Sequence, residues 1–248
     1  MPRIYLSPST QESNFYITGS GSEEYNMNLL ADALEPYLYA NAISFVRNRP
    51  DMTARSSIAE ANRIGGFDYY LALHSNAAGA GNEGNVRGIL VFYYPTSTKG
   101  EYGASLFAAQ LREVYPLPNL VRTEPTTTLG EVRQPQFPSN LIEIGYHDNA
   151  EDALWVENNM DLIAQALARA LCDYFGVPFL YPQEVRSGTV QTEGGALRLR
   201  NYPGLGGDVL ASIPNGSAIT IYAQWQGWYT VGYNGVLGYA SADYISPT

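Results

Sequence analysis

Residues 69–76 read YYLALHSN, five apolar residues followed by a histidine, a serine and an asparagine. A run of this kind is typical of a strand buried on both faces, as in sheets that helices cover. Two further apolar runs have the same character, 88–94 (GILVFYY) and 141–144 (LIEI). Segments with helical spacing alternate with these runs, among them 23–41, 53–64, 101–114 and 150–175. The alternation predicts an α/β domain over the first 176 residues, with a twisted mixed sheet flanked by helices.

After residue 182 the sequence changes to short alternating stretches, separated by Gly or Pro about every 8–12 residues. This spacing predicts a small all-β barrel. Residues 181–186 form a short linker before it. We therefore predict two domains, 1–180 and 187–248.

The formal net charge of −10 indicates which partners the chain does not bind. An acidic protein lacks the basic surface that nucleic acid or an anionic membrane requires, so we expect a neutral or amine-bearing partner. No stretch approaches the ~18 apolar residues of a membrane span. The first residues lead directly into a strand without an apolar leader, so we expect synthesis in the cytoplasm and release before the protein meets any external substrate. The single Cys172 excludes an internal disulfide.

Two residues stand out as candidates for chemistry. His74 lies at the end of its apolar run, and ligands of open α/β sheets bind at the carboxyl ends of strands. Glu143 lies inside an otherwise apolar strand, where an unpaired carboxylate is costly and needs a cation, a metal or strong donors. Glu23 and Glu24 begin a helix, where they either complement the helix dipole or, in the case of Glu24, face the same crevice and bind a metal. Spacing alone leaves both interpretations open.

Four stretches carry a family resemblance when taken in order: 4–12 (IYLSPSTQE), Glu24 with Asn28, 73–76 (LHSN) and 141–149 (LIEIGYHDN). Together they resemble the zinc-dependent N-acetylmuramoyl-L-alanine amidases of bacterial autolysins and phage endolysins, over roughly residues 3–176. Residues 187–246 look like a bacterial SH3 domain. The motifs that carry this second resemblance are LRLR at 197–200, IPNG at 213–216, GWYTV at 227–231 and GY at 238–239.

The amidase resemblance implies a zinc ion held by two histidines and one glutamate, with a second glutamate assisting catalysis. Carried over, Glu24 and His74 are metal ligands and Glu143 is the catalytic carboxylate. The first histidine is expected at the position of Ser13, and no histidine precedes His74. Three explanations stay open: Ser13 weakens metal binding, His147 supplies the missing nitrogen, or catalysis is lost and only wall binding is kept. Histidine restored at position 13 is predicted to raise zinc content and wall lysis.

The resemblance implies hydrolysis of the amide between N-acetylmuramic acid and L-alanine in peptidoglycan. The expected protein is a monomeric endolysin or autolysin that acts at the cell wall. The alternative is a catalytically impaired pseudo-amidase that binds peptidoglycan. The predicted substrate contacts are Asn76 and Arg133 in the first domain and Tyr222, Trp225 and Tyr233 in the barrel.

Overall fold

The computed structural model describes residues 1–248, and its first part alternates strands and helices. These elements are β1 (Arg3–Pro8), α1 (Glu23–Ala40), β2 (Ser44–Arg47), α2 (Ala54–Ile64), β3 (Tyr69–Asn76), β4 (Ile89–Tyr93), α3 (Thr98–Arg112), β5 (Val121–Pro125), α4 (Gly130–Arg133), β6 (Ser139–Tyr146), α5 (Ala150–Asn158) and α6 (Met160–Phe175). The remaining strands are β7 (Arg186–Val190), β8 (Leu197–Arg200), β9 (Val209–Ile213), β10 (Ala218–Trp225), β11 (Trp228–Tyr233), β12 (Val236–Ser241) and β13 (Ile245–Pro247). Two short 3-10 helices, Pro118–Leu120 and Ala242–Tyr244, precede β5 and β13.

Six strands of the first part form one mixed sheet in the order β2-β1-β3-β6-β4-β5. Strand β3 pairs in parallel with β1 and β6, whereas β4 runs antiparallel to β6. Strands β1, β3 and β6 therefore end at the same edge of the sheet. This arrangement confirms the predicted α/β class with a mixed sheet.

Helices cover both faces of the sheet because consecutive side chains of a strand point in opposite directions. Tyr69 contacts Phe107 of α3 and Tyr174 of α6. The next residue, Tyr70, packs on the opposite face with Tyr5 and with residues of α2 and α4. The period-two alternation places every second residue of β3, including His74, on the face that α2 and α4 cover.

The helix ends follow from local sequence. Thr53 caps α2, with its side chain accepting from the backbone N–H of Ser56, and Gly65 ends the helix with a positive φ of 68°. Both signals can be read from the sequence, where Thr53 precedes the helical segment and Gly65 follows it. The segment predicted as one helix over 150–175 is two helices, α5 and α6, interrupted at Asn159.

Residues 116–138 differ from the long loop that their Pro content predicts. They contain the edge strand β5 and the one-turn helix α4. Strand β5 was missed because its charged residues Arg122 and Glu124 interrupt any apolar pattern. It pairs in parallel with β4 along one edge only.

The seven C-terminal strands form a separate antiparallel sheet in the order β13-β7-β10-β11-β12-β8-β9. Its core contains Val190, Leu199, Ile213, Ile221 and Val231, all with almost no exposed surface. This confirms the predicted all-β module. The alternating pattern of the sequence indicated five strands, at 196–200, 209–213, 218–224, 228–233 and 236–240, and β7 and β13 extend the sheet beyond them.

Two compact units divide the chain differently from the predicted boundaries of 1–180 and 187–248. One unit contains Arg3–Leu34 and Phe45–Phe175. The other contains Gly176–Thr248, which carries strands β7 to β13, together with Glu35–Ser44 and Met1–Pro2. Within that unit Tyr239 donates to the carbonyl oxygen of Asn41 (3.0 Å) and Thr230 to that of Ala40 (2.8 Å). The end of α1 therefore packs as part of the same unit as the C-terminal strands β7 to β13.

No helix of the chain is long and apolar enough to span a bilayer.

Candidate functional site

Strand register brings the two main candidate residues together. His74 of β3 is the direct parallel partner of Glu143 of β6, so their side chains lie on the same face of the sheet. Both are near the carboxyl ends of their strands, where α/β proteins form their sites. His74 and Glu143 were predicted from sequence to share one site, and the structure places them in adjacent positions.

His74 is held between two carboxylates. Its Nδ1 lies 2.8 Å from Oε1 of Glu23 and its Nε2 lies 2.8 Å from Oε2 of Glu131. Only 6% of the residue is exposed. Burial alone would lower the pKa of His74, but the hydrogen bonds to Glu131 and Glu23 hold the pKa well above its usual value. The ring is therefore fixed in one orientation, with a carboxylate at each nitrogen.

Glu131 is anchored from behind by two hydroxyl groups. Ser7 donates to its Oε1 at 2.6 Å and Tyr70 donates to the same atom at 2.7 Å. Burial raises the pKa of the Glu131 carboxyl, and the hydrogen bond from His74 outweighs this and lowers it. Glu131 is thus an ionised, fully bonded carboxylate that positions the His74 ring.

Glu23, and not Glu24, is the carboxylate that faces His74. Successive residues of a helix point about 100° apart, so only one of the two can face the crevice. Glu23 is buried, and its Oε2 accepts from Nδ2 of Asn14 at 2.8 Å. Glu24 is half-buried, and burial and the charge of Glu12 raise the pKa of its carboxyl. The structure thus brings Glu23 to His74, whereas Oε2 of Glu24 is buried without a hydrogen-bond partner. That Glu24 binds a metal stays a prediction.

Glu143 has a buried carboxylate oxygen, Oε2, without a hydrogen-bond partner. Burial raises the pKa of its carboxyl to about 7, against the lowering effect of His74 and with a further rise from Glu23 and Glu131. Such a carboxyl exchanges protons near neutral pH, as a general acid or base must.

A cleft of about 770 Å³ opens onto these groups. Its one arginine is Arg55, and Thr10 and Gln11 of the loop after β1 form part of its wall. The other lining residues are Thr53, Ala54, Ile58, His74, Leu129, Gly130, Glu131, Gln134, Leu141 and Glu143. A volume of this size is within the usual range of small-molecule sites.

The other predicted residues of this domain lie away from the cleft lining. Ser13 is exposed. His147 is buried, with its Nδ1 2.9 Å from the carbonyl oxygen of Ser75 and its ring stacked on Tyr16. Arg133 is exposed, and the side-chain oxygen of Asn76 accepts from the backbone N–H of Ala77. None of the four predicted residues lines the cleft.

The three aromatic residues of the C-terminal strands that were predicted to contact the substrate take part in packing within their own unit. Tyr222 stacks on Tyr39 with ring centroids 4.9 Å apart, and Trp225 packs against the same cluster. Tyr233 packs against the core of the β sheet. A separate cleft of about 560 Å³ lies on these strands and is lined by residues that include Trp228 and Tyr244, with the charged side chains of Glu193, Arg198, Arg200 and Asp243.

Comparison with known families gives a match for each part of the chain. Residues 11–173 match the model of N-acetylmuramoyl-L-alanine amidase, and residues 195–246 match that of the bacterial SH3 domain. The chain belongs to the N-acetylmuramoyl-L-alanine amidase family. This is a family of peptidoglycan hydrolases, and here the amidase domain is joined to a bacterial SH3 domain. No curated protein matches the chain in sequence.

Solved amidases share the fold of the amidase domain. The CwlD amidase of Clostridioides difficile, solved in complex with the GerS lipoprotein, is 17% identical, with a TM-score of 0.63 over 71% of this chain and 99% of that one. AmiC2 of Nostoc punctiforme is 17% identical, with a TM-score of 0.59 over 71% and 97%. The catalytic domain of the CD27L endolysin, which targets Clostridia difficile, is 17% identical, with a TM-score of 0.55 over 70% and 98%.

The amidase family is generally zinc-dependent, so the donors in the cleft can be tested for their fit to zinc. His74 and Glu23 supply an imidazole and a carboxylate in contact, and Glu131 fixes the ring from its far side, as carboxylates do behind metal-bound histidines. The unpartnered oxygen of Glu143 adds an acceptor on the same face. No group of three or more His, Cys, Asp or Glu side chains forms a metal cluster. Of the donors that the family resemblance implies, the structure thus brings together one imidazole and one carboxylate, His74 and Glu23, which would be the ligands of a bound zinc ion.

Two contributors to this site escaped the sequence reasoning. Glu131 lies in the segment predicted as a loop, and its only signal was a carboxylate between the apolar Leu129 and Val132. Gln11 belongs to the SPSTQE motif, and nothing in the local sequence distinguishes it from its neighbours. Both reach His74 across more than fifty residues of sequence, which local patterns cannot show.

Proposed function

We propose that the amidase domain hydrolyses the amide between N-acetylmuramic acid and L-alanine, in the cleft lined by His74, Glu131 and Glu143, with zinc as cofactor. The observation that carries the proposal is the unpartnered buried oxygen of Glu143, beside an imidazole fixed by two carboxylates. A buried carboxylate without donors is costly for stability and is typical of a catalytic group.

In this proposal each residue has a separate task. Oε2 of Glu143 takes the proton of the attacking water and returns it to the leaving amine of L-alanine. Glu131 holds the His74 ring, and Glu23 holds the opposite ring nitrogen. A zinc ion bound by Glu23 and His74 would supply Lewis-acid activation of the carbonyl.

Digestion of purified cell walls tests this proposal. Glu143→Gln keeps the shape of the side chain and removes the base, so release of L-alanine amino termini should fall by roughly 10²–10⁴-fold. Glu113→Gln changes an exposed carboxylate and serves as the matched control. Undiminished release by the Glu143 variant would rule out this catalytic role.

A second candidate function is wall binding without catalysis. The observation in its favour is that the cleft contains a single imidazole, since Ser13 is exposed and Nδ1 of His147 contacts a backbone carbonyl. Such a pseudo-amidase would sediment with purified walls and release no L-alanine amino termini at any zinc concentration. The two functions thus differ in one assay.

We also propose that the bacterial SH3 domain holds the enzyme on peptidoglycan through the cleft beside Trp228. Acidic Glu193 and Asp243 and basic Arg198 suit a wall peptide that carries both amino and carboxylate groups. Cosedimentation of the full chain with walls should weaken in the double variant Glu193→Gln/Asp243→Asn and stay unchanged in Glu184→Gln. The predicted contacts Tyr222, Trp225 and Tyr233 are tested by alanine variants in the same assay.

The setting that we propose is that of an endolysin or autolysin, acting as a monomer at the cell wall after release from the cytoplasm. Expression in a walled host should leave cells intact until the membrane is permeabilised. Lysis before permeabilisation would contradict this order of events.

A further inference from the structure

We propose that Arg55 determines which peptidoglycan peptides the amidase site accepts, by binding a carboxylate of the peptide that begins with L-alanine. The inference rests on the proposed amidase function and adds a specificity-determining residue to it. Arg55 is the single arginine that lines the cleft shared by His74, Glu131 and Glu143. It takes no part in the proton transfer proposed for Glu143.

The position of Arg55 is fixed by the start of α2. Thr53 caps this helix, with its hydroxyl accepting from the backbone N–H of Ser56 at 3.2 Å and its backbone N–H donating to the Ser56 hydroxyl at 2.9 Å. Three residues after Arg55, Ile58 is buried in the core. Residues three apart lie on one face of a helix, and both of these line the cleft. The backbone of Arg55 is therefore held at the cleft wall, and its side chain is exposed.

The guanidinium of Arg55 has no hydrogen-bond or ion-pair partner within the chain. The carboxylates of Glu131 and Glu23 both contact His74 and also accept from neighbouring hydroxyl or amide groups. Both ring nitrogens of His74 are occupied by these two carboxylates. Arg55 is therefore the one cationic group of the cleft that an anionic group of the substrate can reach.

An unpaired arginine in this cleft suits a carboxylate of the substrate. The chain has a net charge of −10, and Glu131 adds a negative charge in the cleft, so a carboxylate is repelled there unless a cation receives it. The planar guanidinium binds a carboxylate through two parallel hydrogen bonds. A carboxamide accepts only one of them, because its other end is a donor.

The size of the cleft indicates which carboxylate Arg55 receives. Two extended residues span at most about 7 Å. A cleft of about 770 Å³ accommodates that length beside the catalytic groups. We therefore assign to Arg55 the carboxylate of the residue that follows L-alanine.

Two synthetic muropeptides that differ in one group test the inference. One carries a carboxylate on the residue after L-alanine, and the other carries a carboxamide at the same place. In the full-length chain, Arg55→Gln should raise KM for the carboxylate peptide roughly 10–100-fold, as expected for loss of a hydrogen bond to a charged group. The kcat for this peptide, and KM for the carboxamide peptide, should stay within about threefold of wild type, since the lost contact is one of uniform binding to a group that only the first peptide has.

Arg55→Lys and Arg63→Gln are the matched variants. Lysine keeps the charge but lacks the planar pair of donors, so Arg55→Lys should recover only part of the affinity. Arg63 is exposed on the same helix and does not line the cleft, so Arg63→Gln should bind both peptides like the wild type. Calorimetric titration in the Glu143→Gln background measures binding of the intact peptides, and thermal melting checks that each variant is folded.

The results separate this inference from the proposed function. An unchanged KM in Arg55→Gln, or an equal rise for both peptides, would overturn the role of Arg55 and leave the amidase function intact. A wild-type chain that hydrolyses neither peptide would overturn the amidase function, and the titration would then still decide whether Arg55 selects the carboxylate. Binding of neither peptide would overturn both claims.

Discussion

At the scale of single residues, the candidate site depends on how His74 is held. A histidine that contacts a carboxylate at each nitrogen cannot rotate without losing a charge-assisted hydrogen bond. Glu131 is the more firmly anchored of the two, since Ser7 and Tyr70 both donate to it. Glu23 is buried on the other side of the ring, where Asn14 donates to it. The ring is thus held from both sides.

Replacing Glu131 with Gln is predicted to weaken zinc binding roughly 10–100-fold, because the side chain that orients His74 loses its charge. Calorimetric titration with zinc measures this effect. Glu113→Gln, at an exposed position, should match the wild type. Equal affinity in both variants would show that Glu131 does not position the metal-binding ring.

The single cysteine gives a second prediction at this scale. Cys172 is 1% exposed, and burial raises the pKa of its thiol to about 12. Thiolate is the reactive form, so the folded protein should resist alkylation at pH 8. Labelling with iodoacetamide followed by mass spectrometry should show reaction only after denaturation. Rapid labelling of the folded chain would mean that α6 opens readily.

At the scale of elements, buried Asp152 of α5 connects the ends of two strands. It accepts from the backbone N–H groups of Gly88 and Tyr146 at 2.9 and 3.1 Å, and from Nε of Arg87 at 2.9 Å. Tyr115 donates to it at 2.5 Å. These bonds fix β4 and β6 against the helix that follows β6, and so they stabilise the sheet that carries Glu143.

Asp152→Ala should lower the free energy of unfolding by about 3–5 kcal/mol, the usual cost of removing one partner of a buried ion pair. Arg87 also pairs with Glu151, whose side chain is 73% exposed. Glu151→Ala should therefore cost no more than about 1 kcal/mol. Denaturant unfolding monitored by circular dichroism compares the two, and similar losses would contradict the structural role assigned to Asp152.

The sequence predicted those parts of the fold and site whose signals are local. His74 and Glu143 were predictable because each is a polar residue in an apolar strand, and Thr53 because it precedes a helix with a capping pattern. Glu131 was not, because α4 is one turn long and gains its stability from tertiary packing rather than propensity. The choice of Glu23 over Glu24 depends on helix rotation, which a pair of adjacent carboxylates does not define.

At the scale of the whole molecule, the two compact units are not two consecutive stretches of the chain. Glu35–Ser44 belongs in sequence to the α/β part, yet it forms a compact unit with the C-terminal strands. Asn41 is central to this unit and fully buried. Its side chain donates to the carbonyl oxygens of Tyr37 and Leu180 at 2.7 and 3.0 Å and accepts from the backbone N–H of Leu180.

Asn41→Ala is predicted to destabilise this unit by about 2–5 kcal/mol, because it leaves both backbone groups of Leu180 buried and unpaired. Asn158→Ala removes an exposed amide that bonds within its own helix and should have little effect. Hydrogen exchange of the full-length chain should show faster exchange in β10–β12 for the first variant only. Unchanged protection there would mean that Asn41 does not hold the unit together.

The central claim is that Glu23 and His74 bind one metal ion beside Glu143, and metal stoichiometry tests it most directly. Native mass spectrometry of the full-length chain after zinc loading should show one zinc ion per chain, lost in His74→Ala and in Glu23→Ala and retained in Glu24→Ala. Absence of zinc in the wild type, or equal zinc retention in the His74 variant, would contradict the account.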